Sequence, residues 1–404
     1  MNIKAILGLS SVILIAIFSL VMLSGSSLGL AVDFVTPEGS VEWEIHMFVK
    51  NIMIWFMLML VAFLMIFIKK YEWGVLLAVL LSAAGSFVVF LAIQQFVFGE
   101  PWNQELMLMG VICAITIVIA IGCFLGSLKM WQYLLVGILF APVFSFLVWF
   151  MGDGISGLMF GLEAADPGGS ILVHMGAAYF GLGVAFALRE RRAFKEPMFT
   201  TTHSVSFVWL AAMLLWVLWP AFVTALLPMD QVFLGMMVCY MGGVGSIISA
   251  WLVCTLIQKK VNPLIYTYAM LAGPVAIGAP LILIGPWAAL TVGLIAGAAA
   301  ALSFIYLHPW LCKKLGALDV MGVHNLHGVA GWVGAFASIT ILAIVYSDMD
   351  AALTNLVAAV AVFALALVLG ALVGIILKLT RGKYPDEDMF SDDADFIKSE
   401  APQQ

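Results

Sequence analysis

The sequence predicts an all-α membrane protein of twelve, or eleven, transmembrane helices, built as an inverted five-helix repeat around a central pore. Three observations carry this. Hydrophobic residues make up 64% of the 404 positions and charged residues only 10%, a balance outside the range of soluble globular chains. The apolar residues gather in segments close to the ~20 residues that a bilayer-spanning helix needs. An aspartate stands eight residues before a histidine twice, at Asp166/His174 and at Asp319/His327, with similar wording around both.

In chain order the apolar segments cover 4–24, 47–68, 73–97, 105–127, 130–151, 169–188, 203–227, 231–257, 262–282, 285–307, 320–346 and 352–378. The loops between them alternate in charge. Lys69 and Lys70, Lys129, Arg189 to Lys195, Lys259 and Lys260, Lys313 and Lys314, and Arg381 with Lys383 share one side. Glu38, Glu100, Asp153, Asp166, Asp230 and Asp348 share the other. The positive-inside rule then puts the C-terminus in the cytoplasm of a cell (inner) membrane. The first segment has two readings. Retained, it is an extra helix with a cytoplasmic N-terminus; cleaved near Gly29-Leu30-Ala31, it is a signal and eleven spans remain. The chain thus divides into an N-terminal extra helix or signal (1–30), a first repeat (45–195), a second repeat (196–350), a last helix (351–380) and an acidic cytoplasmic tail (381–404). The tail reads either as a solvated segment or as one docked against basic cytoplasmic loops.

His174 falls in the sixth segment and His327 in the eleventh. Five spans separate them, so the two units face opposite ways across the bilayer, the plan of inverted-repeat transporters. Eight residues at helical rise put each histidine roughly 12 Å below its own surface. In a core about 30 Å thick both land near the midplane, where a pseudo-two-fold axis would bring them together. Adjacent imidazoles can share a proton and still offer a donor or acceptor to a small polar guest. Asp319 becomes the counterpart of Asp166, with the duty of fixing a helix end. Gly328, Gly331 and Gly334 recur at helical spacing and would press that helix against a neighbour; Gly242, Gly243 and Gly245 suggest the same elsewhere.

Other chemistries find little support. The cysteines (Cys113, Cys123, Cys239, Cys254, Cys312) sit in or beside apolar segments with no CxxC pair and read as small buried hydrophobes. Two histidines could bind a metal, but no third ligand converges at their depth, so neither a metal nor a cofactor is expected. No nucleophile–base pattern or phosphate loop suggests an enzyme, and the net charge of −6 suggests no nucleic acid.

The segments Asp166-Pro-Gly-Gly-Ser-x-x-x-His174 and Gly322-Val-His324-Asn325-Leu326-His327-Gly328 resemble the two histidine signatures of Rh-type members of the Amt/MEP/Rh ammonium transporter family. Further likeness lies at Leu218 to Phe222, Ala272 to Ala276, and Pro385 to Phe390. The resemblance implies a homotrimer in which each subunit takes ammonium at the outside and passes ammonia through a hydrophobic pore lined by His174 and His327. It gives Asp166 a role in recruitment or helix-end structure and makes Phe222 half of an outer gate. His324 and Asn325 would line an inner vestibule. The sequence departs from the family pattern where the second gate phenylalanine is Ile112 and where two asparagines are Val223 and Tyr268. These changes are expected to make the upper pore less polar and less aromatic, weakening cation recognition. Carbon dioxide transport, or a non-conducting sensor docking a cytoplasmic regulator through its tail, are the competing functions.

Overall fold

A computed structural model describes residues 41–68, 70–159, 161–194 and 200–396. In chain order its long apolar helices are α1 (Val41–Leu64), α2 (Trp73–Phe98), α3 (Gln104–Ile121), α4 (Met130–Leu158), α5 (Ser170–Leu188), α6 (Thr202–Val223) and α7 (Met229–Gln258). Two short helices follow, α8 (Pro263–Ala269) and α9 (Ala272–Ala276). Then come α10 (Pro286–Leu315), α11 (His324–Ile344) and α12 (Met349–Arg381). Among the described residues there is no strand. Ten of the expected segments are therefore continuous spanning helices. The expected segment 4–24 lies outside the described residues.

The segment 262–282, expected as one helix, is instead broken into α8, α9 and turns. Proline 274 has no N–H to give and crowds the carbonyl four residues back, which belongs to Met270. That carbonyl accepts a hydrogen bond from Ser246 Oγ at 2.6 Å. The turns that follow are buried and tied to the start of α5. Gly168 N–H donates to the Gly278 carbonyl at 2.9 Å. Ser170 Oγ donates to the Val275 carbonyl at 2.6 Å and accepts from Ala279 N–H at 2.9 Å. Irregular backbone survives at membrane depth only when its polar groups are met inside the protein, as they are here.

A reciprocal tie exists on the other side of the bundle. The chain leading into α11 donates from Met321 N–H to the Gly122 carbonyl at 3.0 Å and from Val320 N–H to the Cys123 carbonyl at 3.1 Å, just past α3. Helix crossings are matched as well. A Cβ on Gly137 of α4 would strike the Ser82 carbonyl of α2; one on Gly293 of α10 would strike the Gly242 carbonyl of α7. Gly370 of α12 meets the Phe180 carbonyl of α5 in the same way. Small residues let these backbones approach where lipid supplies no hydrophobic drive for helices to associate.

The acidic tail is docked as far as Phe396. Asp392 accepts hydrogen bonds from the backbone N–H groups of Glu72 (3.0 Å), Trp73 (3.1 Å) and Gly74 (2.7 Å), so it caps the free donors at the start of α2. Phe390 is 1% exposed and its ring lies over Gly126, whose φ of 78° and lack of a side chain both permit the contact. Arg381 donates to the Ser127 carbonyl at 2.7 Å and pairs with Glu190 at 3.1 Å. The docking rests on backbone donors and an aromatic plug more than on the loop lysines.

Candidate functional site

Both histidines are delivered by the same local device. Asp166 Oδ2 accepts from the N–H groups of Ile171 (3.0 Å) and Leu172 (2.8 Å). Asp319 accepts from Val323 N–H and His324 N–H, each at 2.9 Å. Between aspartate and helix the chain turns at a glycine in the left-handed region, Gly169 (φ 76°) in one case and Gly322 (φ 68°) in the other. A π-helical turn then carries the histidine: Ser170–Met175 holds His174 and His324–Gly328 holds His327. Such turns are rare and recur at functional sites. Gly331 brings α11 against the Ser170 carbonyl at a Cβ distance of 2.9 Å, and Gly334 brings it against the Ala276 carbonyl.

The two rings meet. His327 Nδ1 lies 3.2 Å from His174 Nδ1, with ring centroids 5.1 Å apart and planes 26° from parallel. They are 2% and 8% exposed. Only one of the facing nitrogens can carry the proton of this hydrogen bond. In the neutral pair the remote nitrogens therefore play opposite roles: one ring keeps an Nε2 acceptor, the other an Nε2–H donor. Trp219 and Phe222 stand 5.7 Å and 5.8 Å from the His174 ring centroid.

A cavity of about 30 Å³ adjoins the pair, lined by His174, His327, Trp219 and Phe222 and by aliphatic residues of α1, α3 and α6, with Leu271 and Leu326. About 10–15 Å³ by this measure holds one water, so the space suits one or two molecules of that size. Two polar atoms of its lining residues, His174 Nε2 and Trp219 Nε1, are buried without a hydrogen-bond partner among the described residues. Trp219 was not singled out from the sequence. Its position three residues before Phe222, on the same helix face, was the available signal.

Several expected site residues take other places. Ile112 is 7% exposed on the α3 stripe that continues through Ile115 and Ile119; the latter two line the cavity and Ile112 lies one turn nearer the acidic end. Val223 is fully buried and packs toward Gly168. Tyr268 is not in the upper pore. Its hydroxyl donates to the Leu64 carbonyl at 2.9 Å and its ring stacks on Phe304 at 5.8 Å, at the lysine-rich end of the bundle. Asn325 is fully buried and does not line a vestibule. Its Oδ1 accepts from Ser303 Oγ at 2.7 Å, and its Nδ2 donates to His308 Nδ1 at 2.9 Å and to the Gly322 carbonyl at 3.2 Å. These bonds make it an anchor between α11 and α10. His324 lies edge-on to Tyr179 at 5.6 Å, and its Nδ1 is buried without a partner among the described residues. Among the described residues no group of three His, Cys, Asp or Glu could hold a metal.

Asp166 lies in the loop ahead of α5, and burial pushes its carboxyl up to about 7, against the pull of its backbone N–H donors. Such a group contributes stability that is fully present below its ordinary value of 3.8 and is lost as pH rises through the folded value. Asp166→Asn keeps an oxygen for Ile171 and Leu172 but cannot titrate. The melting temperature of the wild-type protein is therefore expected to fall relative to that of the variant between about pH 4 and pH 7, and the difference between the two melting curves measures it.

The sequence model of the Ammonium Transporter Family matches residues 13–400. Ammonium transporter Rh type A of Bos taurus is 31% identical over 350 residues, covering 82% of this chain and 79% of that protein. The Rh type A protein of Mus musculus is 32% identical over 357 residues, covering 82% and 76%. Among solved structures, Nitrosomonas europaea Rh50, of the Rhesus protein family of channels, superposes with a TM-score of 0.82 at 30% identity, over 89% of this chain and 94% of that one. A sensor Amt protein superposes with a TM-score of 0.75 over 88% and 98%, and at 18% identity it shares the fold alone. On this evidence the chain belongs to the Ammonium Transporter Family, as an Rh-type member.

Proposed function

We propose that the protein conducts ammonia across a cell membrane, through a pore whose constriction is the His174–His327 pair. The observation that carries this is the small cavity beside the pair, lined by apolar side chains together with His174, His327 and Trp219, where His174 Nε2 and Trp219 Nε1 have no hydrogen-bond partner among the described residues. A bare cation entering such a space would lose its hydration with little in return, a large cost in low dielectric. Ammonia loses far less. It can accept from the Trp219 indole N–H and donate to an imidazole acceptor, while the paired rings supply both roles. Ammonium therefore sheds its proton before the constriction. Carbon dioxide has no hydrogen to donate, so the imidazole acceptor favours ammonia.

The matched caps, π turns and glycine crossings support an inverted repeat, with residues 45–195 related to 196–350. The lysine-rich end, with the docked tail, is assigned to the cytoplasm of a homotrimeric membrane protein. Purified protein in proteoliposomes should accelerate the internal alkalinisation that follows an imposed ammonia gradient. A rate equal to that of empty liposomes would overturn the reading. Acceleration of carbon dioxide-driven acidification in its place would transfer the pore to that gas.

A further inference from the structure

Lys50 and Arg381 are the buried lysine and arginine side chains among the described residues, each 8% exposed. Arg381 pairs with Glu190. Among the described residues Lys50 has no carboxylate partner; its Nζ donates to Thr224 Oγ1 at 2.7 Å. An ionisable side chain inside a membrane span is expensive and so marks a function.

Its position ties it to the pore. Lys50 heads a face of α1 that runs through Ile54, Met57, Val61 and Leu64, at the spacing of one helix stripe. Met57, Val61 and Leu64 line the cavity beside the histidines. Seven residues of helix put Lys50 about 10 Å from Met57 toward the acidic end. Thr224 stands two residues past Phe222, which lines the same cavity. The amine is thus held on the acidic-end side of the cavity, which the proposed orientation makes the outer mouth of the pore, from two elements, α1 and the end of α6.

The Thr224 hydroxyl is fully engaged there. Its hydrogen goes to the Pro220 carbonyl at 2.6 Å and its lone pair receives Lys50. The Thr224 hydroxyl oxygen is an acceptor that would suit a monovalent cation, and the lysine head group already occupies it.

We infer that Lys50 is a tethered ammonium group that occupies the place of a free cation at the pore mouth, and so makes the pore selective for uncharged ammonia. A lysine ammonium has the charge and N–H donors of the substrate cation, but it cannot leave. A second cation would approach a fixed positive charge in a poorly screened site, whereas a neutral molecule meets no such barrier. The assignment deepens the ammonia-conduction reading and rests on it for its biological meaning.

Two measurements test it. Binding of thallium(I) and of methylammonium to detergent-purified protein reads the mouth without requiring flux. Lys50→Gln keeps a donor for Thr224 and drops the charge; Lys50→Arg keeps the charge. The Gln variant should bind either cation roughly tenfold or more tightly than wild type, and the Arg variant should match wild type. Equal binding by all three proteins overturns the inference. In proteoliposomes, an ammonium gradient should drive charge movement through Lys50→Gln and none through wild type. Wild type that passes no ammonia, with the binding series as expected, would sink the conduction reading and leave the role of Lys50 standing. Should Lys50→Gln fail to assemble, Lys50→Met carries the same expectation.

Discussion

Replacing either His174 or His327 by leucine is expected to slow ammonia flux in proteoliposomes by about tenfold, a loss of roughly 1.4 kcal/mol at the constriction. The size follows from what each ring does. The pair shares one hydrogen bond at 3.2 Å and lines a cavity whose other walls are mostly apolar. Leucine removes one polar group from the path and leaves the partner Nδ1 without its hydrogen bond. An intramolecular hydrogen bond contributes about 1 kcal/mol net, and a buried group left unpaired costs about 1–3 kcal/mol, so a transiting molecule loses a stabilising contact of this order. The double variant should be little slower than either single one, because a lone ring has lost the partner that fixes its tautomer and orientation. Non-additivity of this kind identifies residues that act as a unit. Additive losses would mean two independent contacts, and unchanged flux in all three variants would remove the pair from the conduction path.

The long helices were legible because length, apolarity and loop charge all point the same way. The histidine pair was legible for a different reason. Asp166 and Asp319 precede their histidines by the same spacing, and that repeat predicts a meeting between residues 153 positions apart. The π turns that present the rings leave no comparable mark, since an i→i+5 bond changes neither hydropathy nor composition. The break at α8–α9 was written in Gly273-Pro274 and Gly278-Ala279-Pro280, but an apolar window does not register it. Family likeness alone puts Tyr268 in the upper pore. Its depth, eight residues from Lys260, points to the inner half. Asn325 could not be read as an anchor because Ser303 and His308 reach it from another helix. Lys50 is marked in the sequence by its own chemistry, a lone amine in an apolar run. The docked tail shows the limit of composition: Asp386 to Asp395 reads either as solvated acid or as a segment docked on basic loops, while Asp392 serves as a cap for a helix that begins 319 residues earlier.

Adding one methyl group at Gly293, Gly137 or Gly370 is expected to cost about 3 kcal/mol or more, seen as a large loss of folded yield and melting temperature. At each position the new Cβ would overlap a backbone carbonyl oxygen of the facing helix: Gly242 for Gly293, Ser82 for Gly137 and Phe180 for Gly370. A flexible side chain could rotate away from such an intrusion. A carbonyl held in its own helix cannot, so the two helices must part along their length. Parting them sacrifices the dispersion contacts that hold membrane helices together where burial from water supplies no drive. Reciprocal positions sharpen the test. Gly245 meets the Leu290 carbonyl across the α7–α10 crossing, and Gly183 meets the Leu367 carbonyl across α5–α12. Alanine at these two should be as damaging as at Gly293 and Gly370. Alanine at Gly152 or Gly157, where a Cβ meets nothing within 4 Å, should leave folding intact. Equal tolerance at both sets would show that the helices are not held at backbone contact. The same spacing that brings His174 to His327 would then lack the close packing that fixes it, because Gly331 and Gly334 seat α11 against Ser170 and Ala276 by the same means.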